Sequence, residues 1–376
     1  LDHRIAELAA AQAERVRHDL ETLVAVSSPS GDRDGAERAI AVCLAALPAG
    51  ASAERVPCST EGCAPDLIVR LPGSGRRRLL LLGHLDTVIG HDEHQPIRPQ
   101  DGRLYGSGTA DMKGGDALAL AVARALAATP DRYAELGLLF VTDEEWRTSP
   151  FAHVPRFSGY DACLCFEAGE RAPGGEAGVI VRRKGAGTLR VRAHGRAAHS
   201  GSAPQDGRNA LLALARAAVS VAELADPAGP QRLTIVPTVM RAGEAFNVVP
   251  AAGELVFDLR SVDVAAFDGA CAAVPPEVDG VRLEAWMERV WPPMDSQAPT
   301  SSLLSSATER LGRPIVARGR GGASDASHFA TAIPLTVDGL GPRGGGAHTP
   351  NEFVLEESLR ERLEVALAVA LAALDS

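Results

Sequence analysis

The chain has 376 residues, 45% of them hydrophobic and 23% charged, which is the composition of a soluble globular protein and too long for one ordinary core, so about two domains are expected. A formal net charge of −10 speaks against a nucleic-acid surface but leaves an anionic substrate open, because local arginines outweigh distant charge. No apolar run approaches a membrane span, Leu1-Asp2-His3-Arg4 shows no signal-peptide pattern, and the six cysteines lack CxxC spacing. The expectation is a cytoplasmic protein with no membrane partner and no thiolate metal site.

Residues 4–27 carry apolar side chains at helical spacing (Ile5, Leu8, Ala9, Val16, Leu20, Leu23, Val24), and a second helix fits Gly35–Leu47. Strands are expected at Leu67–Leu71 and Leu79–Gly83, a helix over 113–128 and another buried strand at Leu136–Val141. Helices alternating with continuous apolar strands indicate an α/β domain with a largely parallel sheet. From about residue 179 the texture changes. Val179–Arg183 and Gly187–Ala193 alternate like half-exposed strands, a helix fits Asp206–Leu224, strands fit Arg232–Met240 and Gly253–Ser261, and a helix fits Val264–Ala273. That β-β-α-β-β-α order describes a two-layer α+β unit. The α/β texture returns after Trp291-Pro292-Pro293, with helices at Ser301–Leu311 and Glu356–Ala373. The expected organisation is a first catalytic part at 1–178, an inserted domain at 179–290 and a second catalytic part at 291–376.

Polar residues at the ends of the apolar strands need their own explanation. Leu80-Leu81-Leu82-Gly83 runs into His84-Leu85-Asp86, and residues i and i+2 of a strand share a face. The imidazole could bind a metal while Asp86 orients it, although a satisfied buried His–Asp pair explains the same residues. Asp111 lies between glycines in Gly108-Thr109-Ala110-Asp111-Met112-Lys113-Gly114-Gly115, where it could ligate or cap the next helix. Asp143-Glu144-Glu145 follows a strand; such neighbours repel unless a cation or arginines compensate, or they form an exposed acidic turn. Glu167 follows the apolar stretch Ala162–Phe166, and His348 sits in a glycine-rich loop before the last helix. In open α/β sheets, ligands bind beyond the carboxyl ends of the strands, and imidazole with carboxylate suits zinc, with cobalt or manganese as substitutes.

In order, His84-x-Asp86, the Gly108–Gly115 segment, Asp143-Glu144-Glu145, Glu167 and His348-Thr349-Pro350-Asn351-Glu352 resemble the co-catalytic zinc peptidases. That family includes glutamate carboxypeptidase, acetylornithine deacetylase and succinyl-diaminopimelate desuccinylase, and the resemblance runs over nearly the whole chain. It implies a zinc-peptidase catalytic domain with helices flanking a mostly parallel sheet, and an inserted α+β lid through which two copies dimerise. It further implies two Zn2+ ions bridged by Asp111, one completed by His84 and Glu167 and the other by Glu145 and His348. Glu144 would be the general base for a metal-bridging water, Asp86 would orient His84, and the peptide after Asp111 would be cis. Within the lid, His199 would help hold the oxyanion, while Asn247 and Arg260 would grip the substrate carboxylate and Gly322 would line the cleft. Ser324-Asp325 reads as a helix start whose N–H groups could bind an anion, and His328 as packing or support. The implied reaction releases a C-terminal, glutamate-like amino acid from a small peptide or N-acyl amino acid. The alternative is a deacylase of the acetylornithine deacetylase or desuccinylase type. Many relatives follow the paired glutamates with a Gly-Ser turn; here Trp146-Arg147-Thr148-Ser149 stands instead, which bears on substrate choice.

Overall fold

Leu79–Leu82 are all buried, so the strand they form has no polar face to offer solvent and must be covered on both sides. In the computed structural model, which describes residues 3–376, that strand lies inside a six-stranded sheet. Its strands are β1 (Ser52–Val56), β2 (Asp66–Pro72), β3 (Arg78–His84), β4 (Glu135–Val141), β5 (Ala162–Cys165) and β6 (Leu335–Val337), in the order β1-β2-β4-β3-β5-β6. β4, β3, β5 and β6 run parallel to one another, and β2, antiparallel to β4, and β1, antiparallel to β2, extend the sheet. Alternation along β3 sends Leu79 and Leu81 into one core with helices α1 (His3–Ala25), α2 (Arg33–Ala45), α3 (Gly114–Ala127), α4 (Gln297–Leu311) and α5 (Glu356–Asp375). Leu80 and Leu82, equally buried, face the opposite side of the sheet.

Each helix follows from its sequence. α1 buries Ile5, Ala9, Val16, Leu20, Leu23 and Val24, one stripe at helical spacing. α2 begins where Asp32 caps the Gly35 N–H at 2.6 Å, which satisfies one of the orphan donors of the first turn. α3 is apolar nearly all round and is buried accordingly, and α5 buries its whole run from Leu363 to Leu374 except Glu364. Among the described residues no helix is long and apolar enough to cross a membrane. All six cysteines are free thiols.

The chain divides into two units. The larger comprises the chain up to Arg182 with Asp295–Gly319 and Ser324–Ser376, and the smaller comprises Arg183–Met294 with Arg320–Ala323. The smaller unit is a five-stranded antiparallel sheet in the order Thr234–Ala242, Ala252–Ser261, Gly185–His194, Val281–Trp291, Glu277–Val278. Helices Ala210–Ala222 and Ala265–Ala272 share one core with Leu189, Val191, Leu255, Phe257 and Leu259, so both cover the same face. Two expectations change here. The strand Ala177–Arg183 is almost wholly buried and pairs within the larger unit, so it is not the first strand of the smaller one. The helix expected from Asp206 starts at Ala210, because Asn209 caps the Leu212 N–H while Pro204–Asp206 forms a separate single turn.

Candidate metal centre

Because β3, β4 and β5 run parallel, their carboxyl ends reach one edge of the sheet. His84 is the last residue of β3, Asp143-Glu144-Glu145 follow β4, and Glu167 follows β5. Asp111 arrives by another route, in a turn over Thr109–Lys113 just before α3, with a cis peptide bond to Met112. Gly115 makes that approach possible: a Cβ there would stand 1.9 Å from the Phe166 carbonyl oxygen, so only glycine lets α3 start against the end of β5. His348, at φ 64°, reaches the same place from the loop before α5.

The side chains converge as two groups that share one carboxylate. His84 Nε2 lies 3.1 Å from Asp111 Oδ1 and 3.7 Å from Glu167 Oε1. His348 Nε2 lies 3.2 Å from Asp111 Oδ2 and 3.1 Å from Glu145 Oε1. The ligand atoms of His84, Asp111 and Glu167 fall within 4.8 Å of one another, as do those of Asp111, Glu145 and His348. Each Asp111 oxygen thus faces a different group, and the donor set of imidazoles and carboxylates fits divalent ions of the zinc kind.

The histidines and carboxylates of the cluster shift one another's proton affinity. Burial raises Asp111, but hydrogen bonds from His348 and His84 outweigh it and hold the carboxyl below its usual range. Hydrogen bonds to Asp111 and Glu145 push His348 up to about 10. Burial lifts Glu145 above an ordinary glutamate, and lifts Glu144 well above one, with Asp325, Glu167 and Glu145 adding to the effect on Glu144 and His84 opposing it. Glu144 is buried beside the clustered residues, yet it belongs to neither three-residue group.

Three sets of hydrogen bonds hold the cluster from behind. The His84 Nδ1 contacts the Asp86 main-chain carbonyl at 3.1 Å, with the Asp86 carboxylate at 3.4 Å. That carboxylate accepts hydrogen bonds from Ser30 Oγ (2.6 Å), the Glu144 N–H (3.0 Å) and the Glu145 N–H (3.1 Å). Asp86 therefore anchors the double-glutamate turn as well as the strand end. Glu352, buried, accepts from the N–H groups of Gly108 (2.7 Å), Ala110 (2.7 Å) and Asp111 (2.9 Å), fixing the loop that carries Asp111. Arg147, fully buried, donates to Asp143 at 2.9 Å and to Asp325, and its guanidinium lies 4.6 Å from the Phe151 ring centroid. The sequence offers no role for Ser30 or Glu352, and Arg147, expected to bear on substrate choice, turns inward to Asp143 and Asp325 instead. The available signal was a carboxylate at 352 and a guanidinium at 147 beside motifs already singled out. The Asp325 carboxylate at the start of the short helix Ala326–Ala330 is taken up by Arg147, and the His328 ring stacks on Phe151 at 5.0 Å, a packing role.

The remaining expected site residues belong to the smaller unit. His199 is exposed, and its Nδ1 accepts from the N–H groups of Gly201 (3.1 Å) and Ser202 (3.2 Å), which leaves the proton of the neutral ring on Nε2. Next to it, the Asn247 carbonyl accepts from the Ser200 N–H at 3.0 Å. Arg260 makes two parallel hydrogen bonds to Asp258, at 3.0 and 2.9 Å. The Gly322 carbonyl accepts from Arg183 Nη1 at 2.8 Å.

A model of peptidase family M20/M25/M40 matches residues 80–372, a span that carries every residue of the two groups. The chain belongs to the M20/M25/M40 peptidase family. Carboxypeptidase G2 of Pseudomonas sp. (strain RS-16) is 27% identical over 366 residues, covering 92% of this chain and 86% of that protein. Succinyl-diaminopimelate desuccinylase of Halorhodospira halophila is 28% identical, covering 78% of this chain and 82% of that protein. Among solved structures, a tripeptidase of Staphylococcus aureus superimposes with a TM-score of 0.78 at 19% identity over 97% of this chain and 99% of its own. An M20 family metallo-carboxypeptidase of Sulfolobus solfataricus gives 0.77 at 14% identity over 96% and 99%. M20 enzymes are metal-dependent, and this M20 chain is a hydrolase of amide bonds.

Proposed function

We propose that this M20 hydrolase is a di-zinc carboxypeptidase that cleaves an amide bond next to a free carboxylate, releasing a glutamate-like C-terminal amino acid from small peptides or N-acyl amino acids. The observation that carries this reading is the division of Asp111, one oxygen toward His84 and the other toward His348. His84, Asp111 and Glu167 would hold one zinc, and Asp111, Glu145 and His348 the other, with cobalt or manganese as substitutes. When bound, such ions acidify water and polarise the carbonyl under attack.

The protein's own groups handle the proton and the charge. Burial gives Glu144 a raised affinity for protons, which suits a base that takes a proton from water and later delivers it to the leaving amine. Its main-chain N–H is fixed on Asp86, so its direction is set before substrate arrives. His199, with its proton on Nε2, is a donor for the developing oxyanion. Asn247 and Arg260 would grip the substrate carboxylate and Gly322 would line the cleft; Arg260, now in a two-bond pair with Asp258, has the fork geometry for a carboxylate. A homodimer through the smaller unit is supported by its edge strand Thr234–Ala242, which exposes Val236, Val239 and Met240, and by the exposed Phe246 beyond it.

The similarity to carboxypeptidase G2, which runs over most of both chains, favours the carboxypeptidase reading. The desuccinylase relatives favour the second reading, an N-acyl-amino-acid deacylase with the same metal centre. Turnover of N-acyl glutamates and dipeptides against N-succinyl amino acids and N-acetylornithine, with defined metal loading, separates the two. The first reading expects selectivity for the glutamate conjugates; preference for the succinyl or acetylornithine substrates overturns it. Glu144→Gln should keep its metals and lose amide hydrolysis by at least about 100-fold, since general-base catalysis contributes that much. Full activity in that variant contradicts the base assignment.

A further inference from the structure

The segment Cys58-Ser59-Thr60-Glu61-Gly62-Cys63 lies between β1 and β2 and braces the turn that carries the paired glutamates. The Thr60 N–H bonds Asp143 Oδ2 at 2.9 Å, and Ser59 Oγ accepts from the Ala152 N–H at 3.1 Å. Asp143 is buried and directly precedes Glu144, so the loop acts on the metal-facing turn through one carboxylate. The loop is also folded back on itself. A single acceptor, the Thr60 carbonyl, takes the Cys58 thiol at 2.7 Å and the Cys63 N–H at 3.4 Å. That turn brings the two thiols within hydrogen-bonding reach of each other. Of the other cysteines, Cys43, Cys163 and Cys165 are buried in α2 and β5, and Cys271 lies in the smaller unit. Cys58 and Cys63 are both partly exposed, and Gly62 between them, at φ 89°, has open space where a Cβ would stand. Neither bond from the loop to the glutamate turn uses a thiol, so a link between the sulfurs leaves both bonds in place.

We propose that Cys58 and Cys63 are a redox modification site, a thiol pair that closes to a reversible disulfide and staples the loop bracing the glutamate turn. Hydrogen peroxide serves as the oxidant. Burial raises both thiols, Cys58 up to about 12, while a hydrogen bond from Cys58 offsets part of the rise at Cys63. Cys63 is therefore the sulfur that attacks, as its thiolate. It takes one peroxide oxygen as the O–O bond breaks, giving a sulfenic acid and one water. The Cys58 sulfur then displaces that hydroxyl as a second water, which carries off the Cys58 proton as the S–S bond forms. Two electrons pass from the two sulfurs to the peroxide, and a dithiol reductant returns them. Raised thiols make the first step slow, which suits a lasting staple and not a fast sensor. Because the folded loop already holds the sulfurs together, the link constrains the unfolded chain and changes the native one little.

The test uses the full chain, wild type and the variants Cys58→Ser and Cys63→Ser, each treated with hydrogen peroxide and then with dithiothreitol. Peptide mass spectrometry and thermal unfolding are the readouts, and neither requires turnover, so the result does not depend on which amide the enzyme cleaves. In wild type, the peptide holding both cysteines should become about 2 Da lighter and return to its first mass on reduction. The oxidised wild type should unfold about 2–5 °C higher than the reduced chain, and neither variant should show that rise. Cys58→Ser is the sharper control, because its hydroxyl can still donate to the Thr60 carbonyl and keep the loop folded without the sulfur. Thiols that stay free, or that end as sulfinic or sulfonic acids or in a bridge to another cysteine, overturn the modification site. A 58–63 bridge that leaves the unfolding temperature unchanged or lowers it overturns the staple, as does an equal rise in Cys58→Ser.

Discussion

Asp86 reaches the metal centre along two paths, through the strand end at His84 and through the main-chain N–H groups of Glu144 and Glu145. Its removal should therefore disturb both metal groups. Asp86→Ala is expected to weaken metal binding or activity about 10–100-fold, as loss of a group behind a metal ligand commonly does, and metal titration with turnover reads it. Unchanged affinity and rate would show that the carboxylate is dispensable. Glu352 offers a cleaner case, because its partners are backbone N–H groups. Glu352→Gln places an amide NH2 where an oxygen now accepts, so one of the bonds to Gly108, Ala110 and Asp111 must be lost. Metal affinity should fall by about tenfold or more while the metal-free fold persists on circular dichroism. The His-x-Asp pair and the two acidic motifs were legible in sequence because ligating residue types stood where a strand end needs none. Glu352 was not, since its contacts are to backbone and no pattern of side-chain types announces them.

Elements deliver these residues only if their backbones can meet. The first turn of α3 and the end of β5 approach so closely at Gly115 that a Cβ would overlap the Phe166 carbonyl oxygen. Gly115→Ala must push the Asp111 turn away from Glu167, at a cost of roughly 1–3 kcal/mol or more in stability, which urea unfolding measures. Wild-type stability with unaltered metal affinity would mean that the helix start can shift freely. The long apolar runs of β3, β4 and α5 and the stripe of α1 are legible in the sequence, because burial all round or at helical spacing leaves a pattern. Val281–Trp291 was missed although Val281 and Leu283 alternate with Arg282 and Glu284, because Trp286, Met287 and Trp291 blur the period further along. The strand expected at Val179–Arg183 pairs in the larger unit for the opposite reason: along Ala177–Arg183 only Arg182 is exposed, so the strand is buried on both faces and not half-exposed.

For the molecule as a whole, the mixed, mostly parallel sheet of this M20/M25/M40 chain brings His84, Glu145 and Glu167 to one edge, where Asp111 and His348 join them from loops. Parallel connections return the chain to the same end of the sheet each time, so each strand end can contribute one group. Within the smaller unit, His199 Nδ1 accepts from the Gly201 N–H and Arg260 donates to Asp258. The directions of Trp146 and Arg147 are not legible in the sequence, because tertiary contacts with Gly31, Asp143 and Asp325 decide them. The central claim is that Asp111 belongs to both metal sites, and the most direct test is metal stoichiometry by mass spectrometry or titration in wild type and Asp111→Ala. Two ions per chain in wild type, with the affinity of both lost together in the variant, is the predicted result. One ion retained at wild-type affinity in Asp111→Ala, or fewer than two in the fully loaded wild type, would contradict it.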